Sequence, residues 1–130
     1  MRIDYGARAR ALVGTRYRAQ GRGEDGLDCV GVIIATFGIP HDLARRDYRL
    51  RGDHSSEIGE QLDVHFRRVS RSQMRAGDII LLAPRTEQLH LAVRTDRGFV
   101  HAHAGIRRVV ETPGEPEWPL IAVYRKRRGR

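Results

Sequence analysis

Cysteine is almost missing from this chain of 130 residues, in which Cys29 is the one thiol. A single cysteine excludes an intrachain disulfide framework, a Cys-rich zinc finger and a CxxC redox pair. It does not exclude a nucleophile. Aromatic residues make up only 6% of the chain, and none interleaves with a basic run. The stacking platforms of a single-strand nucleic-acid binder are therefore lacking. Lysine is scarce too, since Lys126 is the only one among 24 basic residues. Long apolar runs are absent. The longest, Val30 to Phe37, is far short of the roughly 20 residues that span a bilayer. The first residues, Met1 to Leu12, are charged and lack the apolar segment of a secretory signal. The expectation is synthesis in the cytoplasm, with no membrane insertion.

What is present suits one globular domain. Hydrophobic residues are 40% of the chain, enough for a core at this length. The formal charge of +8 needs dividing: five of the basic groups lie in the last six residues, Arg125 to Arg130, and without them the charge is +3. The composition thus divides the chain into a domain over 1–124 and a basic tail over 125–130. The remaining excess suits any anionic partner, whether nucleic acid, lipid or wall polymer. No specific nucleic acid is expected.

The first half has helical spacing. Tyr5 to Val13 is predicted helical, with Asp4 as N-cap and Gly14 as stop. Gln20 to Gly26 carries three glycines and is expected to be a loop. Val30, Ile33, Ile34 and Phe37 then recur at helical intervals before Gly38 and Pro40, which puts Cys29 at the N-terminus of a buried helix. Pro40 to Gly52 is polar and irregular. Asp53 or Ser55 is expected to start a further helix running to about Phe66, with Ile58, Leu62 and Phe66 on one face. The second half changes period. Short strands are predicted at Asp78 to Ala83, Leu89 to Arg94, Gly98 to His103, Ile106 to Glu111 and Leu120 to Arg125, separated by turn residues. Helices followed by an antiparallel meander indicate an α+β domain.

A thiol at a helix N-terminus meets free N–H groups and a partial positive charge, which favour the nucleophilic thiolate. The other role of a lone cysteine is packing in the core. A nucleophile needs a base, and the base needs an orienting group. His90 sits in a strand that alternates it with Leu89 and Leu91. His101 and His103 share one face of the next strand, and a tight turn pairs the two strands. The same residues admit a metal reading, in which His101, His103, His90 and Cys29 are four ligands. No second cysteine or histidine-rich helix supports it, and neither metal nor cofactor is expected. His41, His54 and His65 are expected on loops or a polar helix face.

Four blocks carry a family resemblance. Gly14-Thr15-Arg16-Tyr17 with Gly26-Leu27-Asp28-Cys29-Val30-Gly31 resembles the "GTPY…GxDCSG" signature of NlpC-type cell-wall cysteine peptidases. Met74 to Ile79 is similar to that family's "LxPGD" segment, Leu89 to Val93 to its "HVGIY" strand, and Phe99-Val100-His101-Ala102 to its "F[IV]HA". The blocks stand in family order over roughly residues 5 to 125. Val30 replaces the usual serine, Arg16 stands where proline is common, and Ala19-Gln20-Gly21 replaces "WGG".

The resemblance implies a compact papain-like α+β fold, with Cys29 as nucleophile, His90 as general base and His101 as the residue that orients it. Tyr17 matches a tyrosine beside the thiol that polarises the carbonyl, and Asp28 an aspartate bordering the cleft, which also suits a helix cap. His103 has no fixed family role and is a candidate for substrate contact. The implied reaction is hydrolysis of an amide in peptidoglycan stem peptides, typically the γ-D-glutamyl–diamino acid bond. "LDCVG…FVHAHAGIRRVVE" is most similar to small peptidases encoded with phage-tail and gene-transfer-agent genes, which implies tail-protein partners and delivery to the wall by a tail-like particle. The competing readings are a non-catalytic tail component of the same fold, an amidase or acyltransferase on the same Cys-His core, and a basic nucleic-acid-binding domain.

Overall fold

The computed structural model describes residues 3–19, 21–23, 26–39, 55–85 and 88–128. The irregular reading of Pro40 to Gly52, the cap at Asp53, and His41 and His54 lie outside the described residues.

Helix α1 (Tyr5–Arg10) starts where Asp4 accepts a hydrogen bond from the Ala7 N–H at 2.9 Å, the capping role its sequence position implied. It ends three residues before Val13, in a turn that reaches Gly14 at φ 96°. Strands β1 (Arg22–Gly23) and β2 (Gly26–Leu27) form a two-residue hairpin inside the segment expected to be a loop. Helix α2 (Cys29–Phe37) is capped by Asp28, which accepts from the Gly31 N–H at 2.8 Å. It closes at Gly38, in the left-handed conformation at φ 64°, the usual glycine stop. All of α2 except Ala35 is buried. The hairpin packs so tightly against the first turn of α2 that a side chain at Gly31 would collide with the Gly21 carbonyl oxygen. Helix α3 (Ser55–His65) follows. Among the described residues, no helix is long and apolar enough to cross a membrane.

Six strands make one antiparallel sheet: β3 (Phe66–Val69), β4 (Ile79–Arg85), β5 (Gln88–Arg94), β6 (Gly98–His103), β7 (Arg108–Pro113) and β8 (Leu120–Lys126). The spatial order is β3-β8-β4-β5-β6-β7. Strands β4 to β7 are the expected meander. The last strand does not extend it, but returns to lie between β3 and β4. Phe66 opens β3 rather than closing α3. Strand β3 was not anticipated because four residues with two central arginines show no alternation.

Strand β8 runs into the segment expected to be a solvated tail. Arg125 donates through Nε and Nη2 to the two carboxylate oxygens of Asp78, both at 2.8 Å, and through Nη2 to the Gln73 carbonyl at 2.9 Å. Asp78 is buried and also accepts from the Arg75 N–H at 3.0 Å. The domain therefore extends past residue 124, and Arg125 is one of its internal ties.

The sheet has two apolar faces. Leu89, Leu91, Val93, Val100 and Val109 join the core built with α1 and α2. Ile80, Leu82, Ala92, Phe99 and Val123 form a second cluster, against which Trp118 packs. His90 and His101 fall in register with the second set.

Candidate active site

Local sequence puts the cysteine at the start of α2. Asp28 takes an extended conformation and caps the helix, so Cys29 is its first residue and carries an N–H pointing out of the helix end. The thiol is buried. Segment 14–18 runs beside it as an extended chain. Leu27 N–H donates to the Arg16 carbonyl at 2.9 Å, and Arg18 N–H to the Leu27 carbonyl at 3.2 Å. On its other side, Tyr17 N–H donates to the Arg107 carbonyl at 3.0 Å. Arg107 holds φ 65° in the β6–β7 turn, an uncommon conformation for a residue with a side chain. The Tyr17 phenol is pushed above its ordinary pKa by burial, then by the charges of Asp28 and Cys29. It keeps its proton at neutral pH.

A second group centres on His90. Its Nε2 lies 2.8 Å from His101 Nδ1, and His101 Nε2 lies 2.9 Å from Thr112 Oγ1. Trp118 meets both rings edge to face, with centroids 5.6 Å from His90 and 6.0 Å from His101. If His90 Nδ1 is to take a proton, Nε2 must carry one and donate it to His101 Nδ1. His101 then donates through Nε2 to Thr112. That assignment follows from the network rather than from observed hydrogens, and it gives His90 Nε2 and both nitrogens of His101 a partner. His103 lies tilted beside His101 at 5.7 Å between centroids, and its Nδ1 accepts from the Ile106 N–H at 3.1 Å. It shapes the turn as well as the site. The structure thus brings His90, His101 and His103 together, and separately Tyr17, Asp28 and Cys29. Thr112 and Trp118 were missed from sequence. The one signal for Trp118 was its being the sole tryptophan, in a segment read only as turn. His65 closes α3, where its carbonyl accepts from the Arg127 N–H at 3.0 Å.

Among the described residues, no cluster of three His, Cys, Asp or Glu is arranged to hold a metal. The facing lone pair and N–H of His90 and His101 are used on each other.

Both central imidazoles are neutral at pH 7. Burial, then the charges of His101 and His103, push His90 down to about 3. Burial, then His103, pushes His101 down to about 4. In the unfolded chain both take up protons near pH 6.5, while the folded chain does not until well below pH 5. More protons bound when unfolded means stability falls as pH falls. Between pH 6.5 and 4.5, unfolding free energy should drop by up to about 1.4 kcal/mol per pH unit for each ring. Urea midpoints at pH 7, 6, 5 and 4.5 measure this, and a flat series would contradict it.

A family model described as the NlpC/P60 family matches residues 14–120. The murein DD-endopeptidase MepS/murein LD-carboxypeptidase of Escherichia coli (strain K12) is 30% identical over 110 residues, covering 81% of this chain and 51% of that protein. The chain spans about half the length of the curated relatives it matches. The structure of NlpC1 from Trichomonas vaginalis superposes with a TM-score of 0.69 at 18% identity, covering 94% of this chain and 42% of that one. The peptidoglycan hydrolase RipB from Mycobacterium tuberculosis gives 0.60 at 21% identity, covering 95% and 62%. At these identities the solved structures establish the fold, an α+β domain with few helices on an antiparallel sheet.

Proposed function

The chain belongs to the NlpC/P60 family, and from that footing we propose that it is a cysteine peptidase that hydrolyses an amide bond of peptidoglycan stem peptides. The observation that carries this reading is the 2.8 Å bond between His90 Nε2 and His101 Nδ1. It occupies one ring nitrogen and leaves Nδ1 of His90 as the proton acceptor for a thiol. The thiol of Cys29 must meet that nitrogen, so joining the two groups of residues is part of the proposal.

In the proposed reaction His90 Nδ1 takes the Cys29 proton, and sulfur attacks the scissile carbonyl carbon. The oxyanion is held by the Cys29 N–H and the Tyr17 hydroxyl. His90 returns the proton to the leaving amine as the C–N bond breaks. Water, deprotonated by His90, then cleaves the thioester and regenerates the thiol. Through this cycle His101 and Thr112 hold the ring in one tautomer, and Trp118 shields the pair from water.

The bond proposed is the γ-D-glutamyl–diamino acid link that the sequence blocks imply. The E. coli relative is named instead for DD-endopeptidase and LD-carboxypeptidase activities. Mass spectrometry of digests of defined muropeptides separates these. A γ-D-glutamyl product supports the proposal. Products of a cross-link or terminal cut would move the bond, and intact substrate would overturn the activity. Carriage on a tail-like particle is the second part of the proposal. It rests on the likeness of Leu27 to Gly31 and Phe99 to Glu111 to tail-associated peptidases, and recovery of the chain from purified particles checks it.

A further inference from the structure

The register of the sheet extends the histidine row into a pair of arginines. His103 pairs with Arg108 across β6 and β7, and Arg108 pairs with Arg16 of segment 14–18. Residues directly opposite on antiparallel chains point to the same side. The Arg16–Arg108 pair is flanked by the Tyr17-to-Arg107 and Val109-to-Thr15 hydrogen bonds, at 3.0 and 2.8 Å. It is therefore a non-hydrogen-bonded pair, the kind with Cα atoms only about 4.5 Å apart. Alternation along β6 and β7 keeps His101, His103 and Arg108 on one face. The row thus reads His90, His101, His103, Arg108, Arg16.

Two like charges set directly opposite each other destabilise a ladder. Both arginines are exposed. Arg108 donates through Nη1 to the Gly14 carbonyl at 2.9 Å. Among the described residues, no carboxylate pairs with either. Glu111, the nearest acidic residue of β7, is drawn to the other face by Thr95 at 2.6 Å and Arg10 at 3.3 Å. The fold thus sets two arginines opposite each other at the end of the histidine row, and none of the described residues supplies an anion to them. Arg16 stands where the family signature carries proline, so the pair belongs to this chain's own sequence.

We infer that Arg16 and Arg108 form a carboxylate-binding subsite at the end of the histidine row, and that its ligand is the free α-carboxylate of the stem-peptide D-glutamate. Two planar guanidiniums suit a carboxylate, which accepts several N–H donors at once. This inference rests on the peptidase reading above.

The test compares two synthetic stem peptides, one with the D-glutamate α-carboxylate free and one with it as the carboxamide. The wild type should favour the free acid in kcat/KM by about tenfold or more, the usual worth of a charge-assisted contact. The preference should lie in KM. In Arg16→Gln with Arg108→Gln the ratio should fall towards one. Arg16→Gln alone breaks no side-chain hydrogen bond within the described residues and should lose most of the preference without a change in melting temperature. Arg67→Gln, an exposed arginine of β3, controls for net charge. A wild type that cleaves both peptides equally would overturn the subsite and leave the peptidase standing, as would a double variant that keeps the preference or an Arg67→Gln variant that loses it. A wild type that cleaves neither peptide overturns both readings.

Discussion

Cys29→Ala should lower stem-peptide cleavage by about 10⁴- to 10⁶-fold, the scale on which losing a nucleophile collapses a coupled catalytic set. The physical ground is the dependence of each later step on the sulfur. Without it His90 has no thiol proton to take, no thioester forms, and the oxyanion donors have no tetrahedral carbon to serve. Stability should barely change. Cys29 is buried at the first position of α2, and Asp28, not Cys29, supplies the helix cap. Removing one sulfur from a helix end leaves that cap and the Gly38 stop in place. Muropeptide digests of wild type and variant, with melting curves of both, give the two numbers. Turnover within tenfold of wild type in a folded Cys29→Ala protein would end the cysteine-peptidase mechanism.

Arg125→Ala should cost about 1–3 kcal/mol, the cost of leaving a buried acceptor short of its donors when the lost partner is itself partly exposed. Asp78 is 1% exposed, and its carboxylate accepts two hydrogen bonds from Arg125. After the substitution it retains the Arg75 N–H but carries an uncompensated charge in the interior. The same arginine also ties the Gln73 carbonyl to β8. A melting temperature lower by on the order of 10 °C is expected. Pairing Arg125→Met with Asp78→Leu should recover part of that loss, because replacing both members of a buried pair is far less harmful than orphaning one. A melting temperature unchanged in Arg125→Ala would show that the pair is solvated.

The N-terminal half was readable wherever side chains act on their own backbone. Asp4 and Asp28 cap the helices they precede, and Gly38 stops α2 in the conformation only glycine takes easily. Those local rules put Cys29 at a helix start before any fold was considered. The strands of the meander were readable from alternation, which also separated His90 from Leu89 and Leu91. What alternation cannot report is which strand lies next to which. The placement of β8 between β3 and β4 was therefore hidden, and with it the partner of Arg125, whose position near the C-terminus made it look like part of a tail. The bond from His101 to Thr112 was hidden for the same reason. It depends on the register Phe99 to Thr112 across β6 and β7, and a threonine in a polar strand has no signature of its own. The arginine pair needed the bridge between segment 14–18 and β7, which joins residues more than 90 positions apart and has no periodic trace.

Of the six sheet strands β8 comes last in sequence and yet lies inside the sheet, with β3 on one side and β4 on the other. A chain emerging from the ribosome has α1, α2 and the four-stranded meander available early, but β3 has no neighbour and β4 an open edge until Leu120 to Lys126 are free. Trp118, which covers the His90–His101 pair, arrives in the same stretch. Vectorial synthesis therefore cannot complete the sheet in stages. A product that stops before Trp118 lacks both the closing strand and the cover of its imidazoles, so the His90–His101 pair is enclosed only once β8 is in place.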